Sequence, residues 1–340
     1  MKPNERAARA AEKQRRRRWL GALLAAVCLA AVGFGYLVEY RGGQGNIPTW
    51  GQLYALLGLD TGTPEPEALA PGTPAVLVLD VGQGDAVLLA QDGAYCLIDA
   101  GPYDARQELL AALRGLGVTK LDYLVLTHPH ADHMGGMTTV LQNFAVQTLL
   151  LPELTASDAA DNVLAPLLRQ AETQGTTAIT AEQGQEYPLG AGTLTVLLTG
   201  VALTADSHED ATNNASLCLR YASGDFSFLD TGDAEAAEEA ALVAQYGGAL
   251  NATLLKAGHH GSSTSNTQAL LSAVMPQAVA VSCGLDNDYG HPHQSVLRRL
   301  AENEIEVYRT DTQGGLAFTA PGGKLQEQGD GQRQALAPAA

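Results

Sequence analysis

The chain has 340 residues, 46% of them hydrophobic, which is enough to bury a sizeable core and excludes an intrinsically disordered chain. Its formal net charge at pH 7 is −17, and residues 1–18 carry eight Lys/Arg against two Glu, so the remainder carries −23. A basic patch is the usual electrostatic signature of a nucleic-acid-binding protein, and the bulk of this chain lacks one.

Residues 19–38 form an uncharged, apolar stretch near the N-terminus. A stretch of this length can cross a bilayer as a helix. Because residues 15–18 are four arginines, the positive-inside rule predicts a cytoplasmic N-terminus and places the rest of the chain outside the membrane. A cleaved signal peptide is the alternative, but the stretch is longer than an ordinary signal core and no clean A-x-A site follows. We therefore expect a single-pass anchor in the cell membrane.

Composition divides the chain into five segments. Residues 1–18 are the basic cytoplasmic segment, and 19–38 are the predicted membrane helix. Residues 39–74 are rich in Gly, Pro and Thr, as expected of a stalk, whereas 322–340 are polar and rich in Ala, Gln and Gly, as expected of a flexible tail. One globular domain is therefore predicted at 75–321. No feature of the sequence specifies an oligomeric state.

Short apolar runs alternate with amphipathic stretches inside this domain. Strands are predicted at residues 75–81, 86–89, 94–98, 123–127, 147–151, 194–198, 216–221, 226–230, 253–256, 278–282, 306–309 and 316–319. Helices are predicted at residues 105–116, 136–144, 163–174, 234–246, 267–274 and 294–303. Hairpin-like strands open each half and then alternate with helices, which predicts two β-sheets covered by helices on their outer faces.

A cluster of metal-ligand residues follows the fourth predicted strand, where residues 127–136 read THPHADHMGG. Imidazole and carboxylate are the ligands that borderline divalent metals such as zinc favour. Alternate residues of a tight turn can point the same way, so His128 and His130 can share one metal while Asp132 and His133 reach a second. An exposed, capped turn is the alternative interpretation.

The H-x-H-x-D-H run is the hallmark of the metallo-β-lactamase superfamily, which this chain resembles. Further segments are similar to the extracellular hydrolase domain of ComEC-type DNA-uptake (competence) proteins: LDVGQGDAVLL (79–89), LIDAG (97–101), NNASLCL (213–219), FLDTGDAE (228–235), LLKAGHHGSS (254–263) and YGHPH (289–293). The resemblance covers 75–321 in order. It implies an α/β fold, the αββα sandwich of two mixed sheets with helices outside, and a metal-dependent hydrolase. A full transporter adds a polytopic channel, where this chain has one predicted span.

The resemblance also implies further metal ligands. Asp233 is expected to bridge both metals, because a carboxylate can share its oxygens between two cations. An aspartate that caps the following helix is the alternative, and Asp230 is a weaker candidate for the bridge. His260 is expected to bind the second metal, with His259 beside it in the outer shell or at the substrate. The reverse order of these two histidines stays open.

One departure from the family pattern concerns the first metal. Many members carry another histidine ligand where this chain has two asparagines, and Asn214 or its neighbour Asn213 would complete the site through an amide oxygen. A bound water or a simple turn are the alternatives. Because such a site is rich in oxygen, the predicted cofactors are two divalent cations, zinc or alternatively manganese.

Three other residues complete the expected site. Asp99 is expected to accept an imidazole N–H and so fix the tautomer of a ligand, or else to form a strand-end turn. Asp85 is expected to be a structural turn residue. His291 either caps the following helix or contacts substrate and donates a proton.

The residues and the resemblance together predict a mechanism. Two cations lower the pKa of a shared water to about 7. Asp132 and Asp233 would hold that water in line, and His259 or His291 would protonate the leaving group. The resemblance implies phosphodiester substrates, single-stranded DNA in uptake, with the competence machinery as partner. The alternatives are hydrolysis of a small or envelope phosphoester or other ester, which fits the acidity better, and a non-catalytic metal-binding accessory protein.

Overall fold

The computed structural model describes residues 30, 33–35, 71–153, 164–204 and 207–327. The predicted basic segment lies outside these residues, as do nearly all of the predicted membrane helix and stalk. Among the described helices none is both long and apolar enough to span a bilayer. The part that positions the site is residues 71–327, and it is this part that is described below.

Strands and helices alternate along this part of the chain. The strands in the described residues are β1 (Ala75–Val78), β2 (Val87–Gln91), β3 (Ala94–Ile98), β4 (Lys120–Val125), β5 (Ala145–Leu151), β6 (Thr177–Thr180), β7 (Glu186–Leu189), β8 (Gly192–Thr199), β9 (Leu217–Ser223), β10 (Phe226–Asp230), β11 (Leu254–Lys256), β12 (Ala278–Val281), β13 (Glu306–Arg309), β14 (Leu316–Thr319) and β15 (Gln326–Glu327). The α-helices are α1 (Arg106–Gly115), α2 (Ala131–Met134), α3 (Met137–Asn143), α4 (Leu164–Gln174), α5 (Ala236–Tyr246), α6 (Gln268–Val274), α7 (Gln294–Glu302) and α8 (Thr310–Gln313).

The strands form two mixed sheets. The first has the order β15-β14-β1-β2-β3-β4-β5-β6, and the second has the order β13-β12-β11-β10-β9-β8-β7. Neighbouring strands run parallel from β3 to β6 and from β10 to β13, and the remaining pairs are antiparallel. The predicted architecture of two mixed sheets is therefore confirmed. Strand β15 lies within 322–340, which the sequence analysis assigned to a tail.

The core has three layers because each sheet is apolar on both faces. On β1, for example, Val76 and Val78 face the second sheet, while Ala75 and Leu77 pack beneath helices on the outer face. Helices α1, α3 and α4 cover the first sheet, and α5, α6 and α7 cover the second. Both sheets are thus held rigidly between helices, and the loops that leave their strands are fixed at the strand ends.

Tyr221 on β9 joins the two sheets. Its side chain is fully buried, and its hydroxyl donates a 2.5 Å hydrogen bond to Oε1 of Gln91 on β2. Burial raises the pKa of Tyr221 from 10.0 to about 12. Because the pKa is higher in the folded state, the neutral phenol contributes stability that is fully present below pH 10 and is lost as the pH rises through 12.

We expect Tyr221→Phe to be about 1 kcal/mol less stable than the parent chain at pH 7, because Gln91 loses its hydrogen-bond donor. By pH 11 the parent chain should have lost about 1.4 kcal/mol relative to the variant, since only the parent must keep a phenol protonated in the core. Urea unfolding at both pH values measures the difference. A stability difference that stays constant between them would contradict this account.

Candidate metal centre

The candidate ligands lie in loops that leave the carboxyl ends of strands. The loop after β4 carries residues 128–133, the loop after β10 carries Asp233, and the loop after β11 carries His260. Backbone hydrogen bonds fix the first loop: the Asp85 N–H donates to the Asp132 carbonyl at 3.1 Å, and the Ala100 N–H donates to the His133 carbonyl at 2.7 Å. Three distant parts of the sequence therefore meet at the carboxyl ends of strands from both sheets.

The carboxylate of Asp233 lies at the centre of the histidines. Its Oδ2 is 3.3 Å from Nε2 of His133, 3.5 Å from Nε2 of His260, 3.7 Å from Nε2 of His259 and 3.9 Å from Nε2 of His128. The side chain is almost fully buried. Burial opposes its ionisation, but His133 and His260 outweigh burial and hold the pKa of Asp233 well below its ordinary value. A fully ionised carboxylate therefore faces four imidazoles.

Two of these rings are oriented by partners behind them. Nδ1 of His133 lies 2.7 Å from Oδ2 of Asp99, whose carboxylate also accepts hydrogen bonds from the amide and hydroxyl of Thr127 at 2.8 and 2.6 Å. Nδ1 of His260 lies 3.1 Å from the carbonyl oxygen of Ser282. Because both acceptors require an Nδ1–H donor, each ring is turned so that its Nε2 points towards Asp233. Asp99 thus has the orienting contact expected from the sequence.

The hydrogen-bond partners of the buried donor atoms show whether a cation would fit at this centre. Within the described residues, Nε2 of His133, Nε2 of His260 and Oδ1 of Asp233 are buried and have no hydrogen-bond partner. Together with Asp85 these residues offer ligand atoms that all lie within 4.8 Å of one another. Buried polar atoms without partners are costly, and a divalent cation among them would satisfy all of them. The nitrogen and oxygen donor set fits zinc or manganese.

His128 and His130 contact each other, and His128 also lies close to Asp233 and to the ring of His133. Nε2 of His128 lies 3.0 Å from Nδ1 of His130, and His128 is fully buried. Burial, reinforced by the charge of His133, holds the pKa of His128 well below its ordinary value, so its ring is neutral and free to act as a ligand. Asp132 instead approaches the other group, with Oδ2 at 3.3 Å from Nε2 of His260. The convergent donor group in the described residues joins Asp85, His133, Asp233 and His260, and the division of the ligands between two metal positions stays a prediction.

The structure corrects the expectation for Asp85, which is more than the turn residue predicted from the sequence. Its Oδ1 lies 3.2 Å from Nδ1 of His260, and its carboxylate belongs to the group of convergent ligand atoms. Burial opposes ionisation, but the neighbouring Lys256 outweighs it and lowers the pKa of Asp85 to about 2. Asp85 is therefore a charged member of the site. In the sequence, Asp85 lies among glycines at a strand end. Turn residues commonly occupy such a position, so the sequence did not distinguish Asp85 from one.

Lys256 was not identified from the sequence, yet its ammonium group contacts three of the loops at the site. The side chain is fully buried, forms an ion pair with Asp85, and donates hydrogen bonds to the carbonyl oxygens of Gly232 at 3.2 Å and Ala257 at 3.1 Å. Burial alone would lower the pKa of Lys256, but Asp85 and Asp230 outweigh it and hold that pKa above its ordinary value. A permanent positive charge therefore lies directly behind the carboxylates.

The backbone of the GHHG segment is strained at both histidines. His259 and His260 have φ values of 50° and 54°, in the left-handed region that residues other than glycine rarely occupy. Asn266 holds the segment in place, since its side chain accepts a hydrogen bond from the Gly258 amide at 3.0 Å and donates one to the Gly258 carbonyl at 2.8 Å. This conformation turns the two rings in different directions, His260 into the centre and His259 towards the cavity.

The contacts of the two asparagines do not fit the expectation that Asn214 completes the ligand set of the first metal. The side-chain oxygen of Asn214 accepts hydrogen bonds from the amides of Glu235 at 3.3 Å and Glu238 at 3.2 Å, and its nitrogen donates to the Asp210 carbonyl at 3.0 Å. That oxygen is therefore committed to the start of helix α5. Asn213 instead borders the cavity, and its buried Oδ1 has no hydrogen-bond partner in the described residues. The geometry favours Asn213 for a role at the centre.

We expect Asn214→Ala to lower the free energy of unfolding by about 1–3 kcal/mol, because two buried amides lose their acceptor. Its metal content should equal that of the parent chain. The matched variant Asn213→Ala should weaken metal binding more than it lowers stability. Chemical unfolding and elemental analysis of both variants measure these effects, and loss of metal from Asn214→Ala without loss of stability would contradict the assignment.

A polar cavity of about 320 Å³ opens beside the centre. Its lining in the described residues consists of Gln83, His130, Ala131, Asp132, Asn213, Asp233, His259, His260, Tyr289 and His291. Burial, followed by His260 and His259, lowers the pKa of His291 to about 4, and burial lowers that of His259 as well. At neutral pH both rings are therefore uncharged. They can donate a hydrogen bond from N–H, and their role as proton donors to the leaving group stays a prediction.

The chain was compared with known proteins. Residues 79–284 match the family model of the metallo-beta-lactamase superfamily. Competence protein ComA of Neisseria gonorrhoeae is 32% identical over 77% of this chain and 35% of its own length, and ComE operon protein 3 of Bacillus subtilis is 29% identical over 71% and 32%. This chain thus spans about a third of the length of these relatives. The metallo-beta-lactamase fold protein YhfI from B. subtilis has 14% identity and a TM-score of 0.48, over 72% of this chain and 99% of YhfI.

The family model covers more than half of the chain and includes the loops that carry His128 to His133, Asp233 and His260. These are the loops that the structure brings together at the carboxyl ends of strands from both sheets. The two-sheet architecture and the convergent histidines and aspartates agree with that match. The chain therefore belongs to the metallo-beta-lactamase superfamily.

Proposed function

We propose that this chain is a metal-dependent phosphodiester hydrolase, and that its physiological substrate is single-stranded DNA handled during uptake. One observation carries the proposal: buried nitrogen and oxygen donors without hydrogen-bond partners converge on a polar cavity that is open to substrate. The similarity to competence protein ComA of Neisseria gonorrhoeae supports the choice of DNA.

The cations would be held in two groups that share Asp233. His128 and His130 would hold one cation, and Asp132, His133 and His260 the other. When bound, such a pair activates a water and neutralises charge that develops on a phosphoryl oxygen. A site that is mostly buried and rich in fixed charges is suited to electrostatic stabilisation of that kind.

The chain's own residues orient the reactants. Asp132 is about a third exposed at the cavity, so its carboxylate can accept a hydrogen bond from a water there while its other contacts fix it to His260. The neutral rings of His259 and His291 line the opposite part of the cavity and are placed to donate hydrogen bonds to phosphoryl oxygens. The lining, as far as the structure describes it, contains no serine or cysteine that could act as a covalent nucleophile.

A direct assay tests the proposal. The purified chain, loaded with zinc or with manganese, is incubated with single-stranded DNA and with bis-p-nitrophenyl phosphate. We expect both to be cleaved, and His128→Ala to cleave neither. His208→Ala is the matched control, because His208 is exposed and outside the cavity lining. Intact DNA alongside a cleaved small ester would refute the nuclease assignment and leave the hydrolase.

A second substrate class has its own support. The chain after residue 18 carries a net charge of −23, and the described cavity lining contains no Lys or Arg. Both features oppose a long polyanion and favour a small or envelope phosphodiester. A chain that binds metal stoichiometrically but cleaves neither substrate would instead be a metal-binding accessory protein.

The proposal includes a location. Residues 19–38 would anchor the chain with its N-terminus in the cytoplasm and its hydrolase domain outside, where it would meet incoming DNA and the competence machinery. Protease treatment of intact cells tests this orientation. Cleavage of the domain by external protease is the expected result, and full protection would refute it.

A further inference from the structure

Apart from histidines, Tyr289 is the only aromatic residue among the described residues that line the cavity. It is 67% exposed, although a ring of this size is usually covered when it borders a cavity. Its ring is stacked on that of His291, with centroids 5.6 Å apart and planes at 21°. One face is therefore supported by the protein while most of the ring is open to solvent.

A second ring contact links His291 to the metal centre. The ring of His291 is in turn stacked near that of the candidate ligand His260, with centroids 6.1 Å apart and planes at 30°. Ring contacts thus link Tyr289 at the rim of the cavity, through His291, to the place where a phosphoryl group would react. A flat group attached to that phosphoryl group could lie on Tyr289 while the phosphate occupies the centre.

The charges around Tyr289 restrict what this group can be. Asp286 and Asp288 are exposed in the same loop, and the described residues that line the cavity include no Lys or Arg. A second phosphate near Tyr289 would be repelled, whereas an uncharged planar group would not. Stacking of a base on an aromatic side chain has this character, because every base presents an uncharged π-face and stacking therefore tolerates any base.

We propose that Tyr289 is a specificity-determining residue that stacks a nucleobase of the substrate next to the scissile phosphodiester. This inference rests on the proposed function and narrows its substrate to diesters that carry a base. It also reconciles an acidic domain with a nucleotide substrate, since binding would depend on one stacked base and the cations rather than on a basic groove.

Two diesters with the same leaving group test the inference. Thymidine 5′-(p-nitrophenyl phosphate) carries a base, and methyl p-nitrophenyl phosphate does not. Tyr289→Ala should lower the ratio of kcat/KM for the first to that for the second by roughly 10-fold, mainly through KM, as expected for one lost stacking contact. Tyr289→Phe should retain the ratio. Tyr103→Ala is the matched control, because Tyr103 is exposed and outside the cavity lining.

The outcomes are separable from failure of the proposed function. If neither diester is cleaved, the hydrolase proposal fails, and titration calorimetry of the metal-loaded chain with thymidine 5′-monophosphate and with methyl phosphate decides the inference. The stacking site is supported if Tyr289→Ala binds thymidine 5′-monophosphate more weakly than the parent chain does but binds methyl phosphate equally well. A ratio or a binding preference that is the same in the parent chain, Tyr289→Ala and Tyr289→Phe overturns it.

Discussion

Asp233→Asn is expected to lower metal affinity by at least 100-fold and to abolish hydrolysis. The substitution keeps the size of the side chain but removes the charge that faces four imidazoles within 3.9 Å. Without that carboxylate, a cation would meet mostly neutral nitrogen donors, and the shared contact between the two groups of ligands would be lost. Elemental analysis after dialysis and the assay with bis-p-nitrophenyl phosphate measure both effects.

Asp225→Asn is the matched control for this change, because Asp225 is exposed in the turn between β9 and β10. It should retain metal and activity. Thermal unfolding of Asp233→Asn without metal separates a lost site from a lost fold: the variant should unfold at a temperature close to that of the metal-stripped parent. An Asp233→Asn variant that keeps its full metal content would contradict the central role of this carboxylate.

Lys256→Met is expected to cost about 3–5 kcal/mol of stability, because it leaves the carboxylate of Asp85 buried without its ion-pair partner. It should also weaken metal binding by about 10–100-fold, as removal of an outer contact of a metal site commonly does. The reason is geometric: the ammonium group contacts the loops that carry Asp233 and His260 as well as Asp85. Urea unfolding and metal titration of the purified chain measure the two effects.

The double variant Asp85→Asn with Lys256→Met separates the two effects. Stability should largely return, since the carboxylate that formed the close ion pair with Lys256 no longer carries a charge. Metal affinity should stay low, since Asp85 belongs to the convergent ligand group. Recovery of metal affinity together with stability would mean that Lys256 acts on the fold alone, contrary to its proposed part in positioning the loops.

Much of the fold was predictable because buried strands and amphipathic helices leave a strong periodic pattern. The predicted strands and helices are present in the structure, with ends displaced by three residues or fewer. Strand β6 was missed because its residues are mostly exposed and lack a continuous apolar run, and β7 contains Pro188, which argues against a strand. The pairing order of the sheets could not be read from one sequence, because it depends on contacts between distant segments.

The site was predictable where its residues are adjacent in the sequence. The cluster of His128 to His133 was evident from spacing alone, and the family resemblance supplied Asp233 and His260. Lys256 was missed because a lysine that ends a short strand is ordinarily an exposed residue, and only the structure brings Asp85 beneath it. The choice between Asn213 and Asn214 likewise required three-dimensional contacts, since adjacent residues point in different directions.

The metal content of the purified chain tests the central claim most directly. After removal of bound metal and equilibrium dialysis against zinc, or against manganese, elemental analysis should find two equivalents per chain. His128→Ala should retain one of them, because the ligands around His133 and His260 remain. A parent chain that binds none, or only one, would contradict a centre in which Asp233 is shared between two cations.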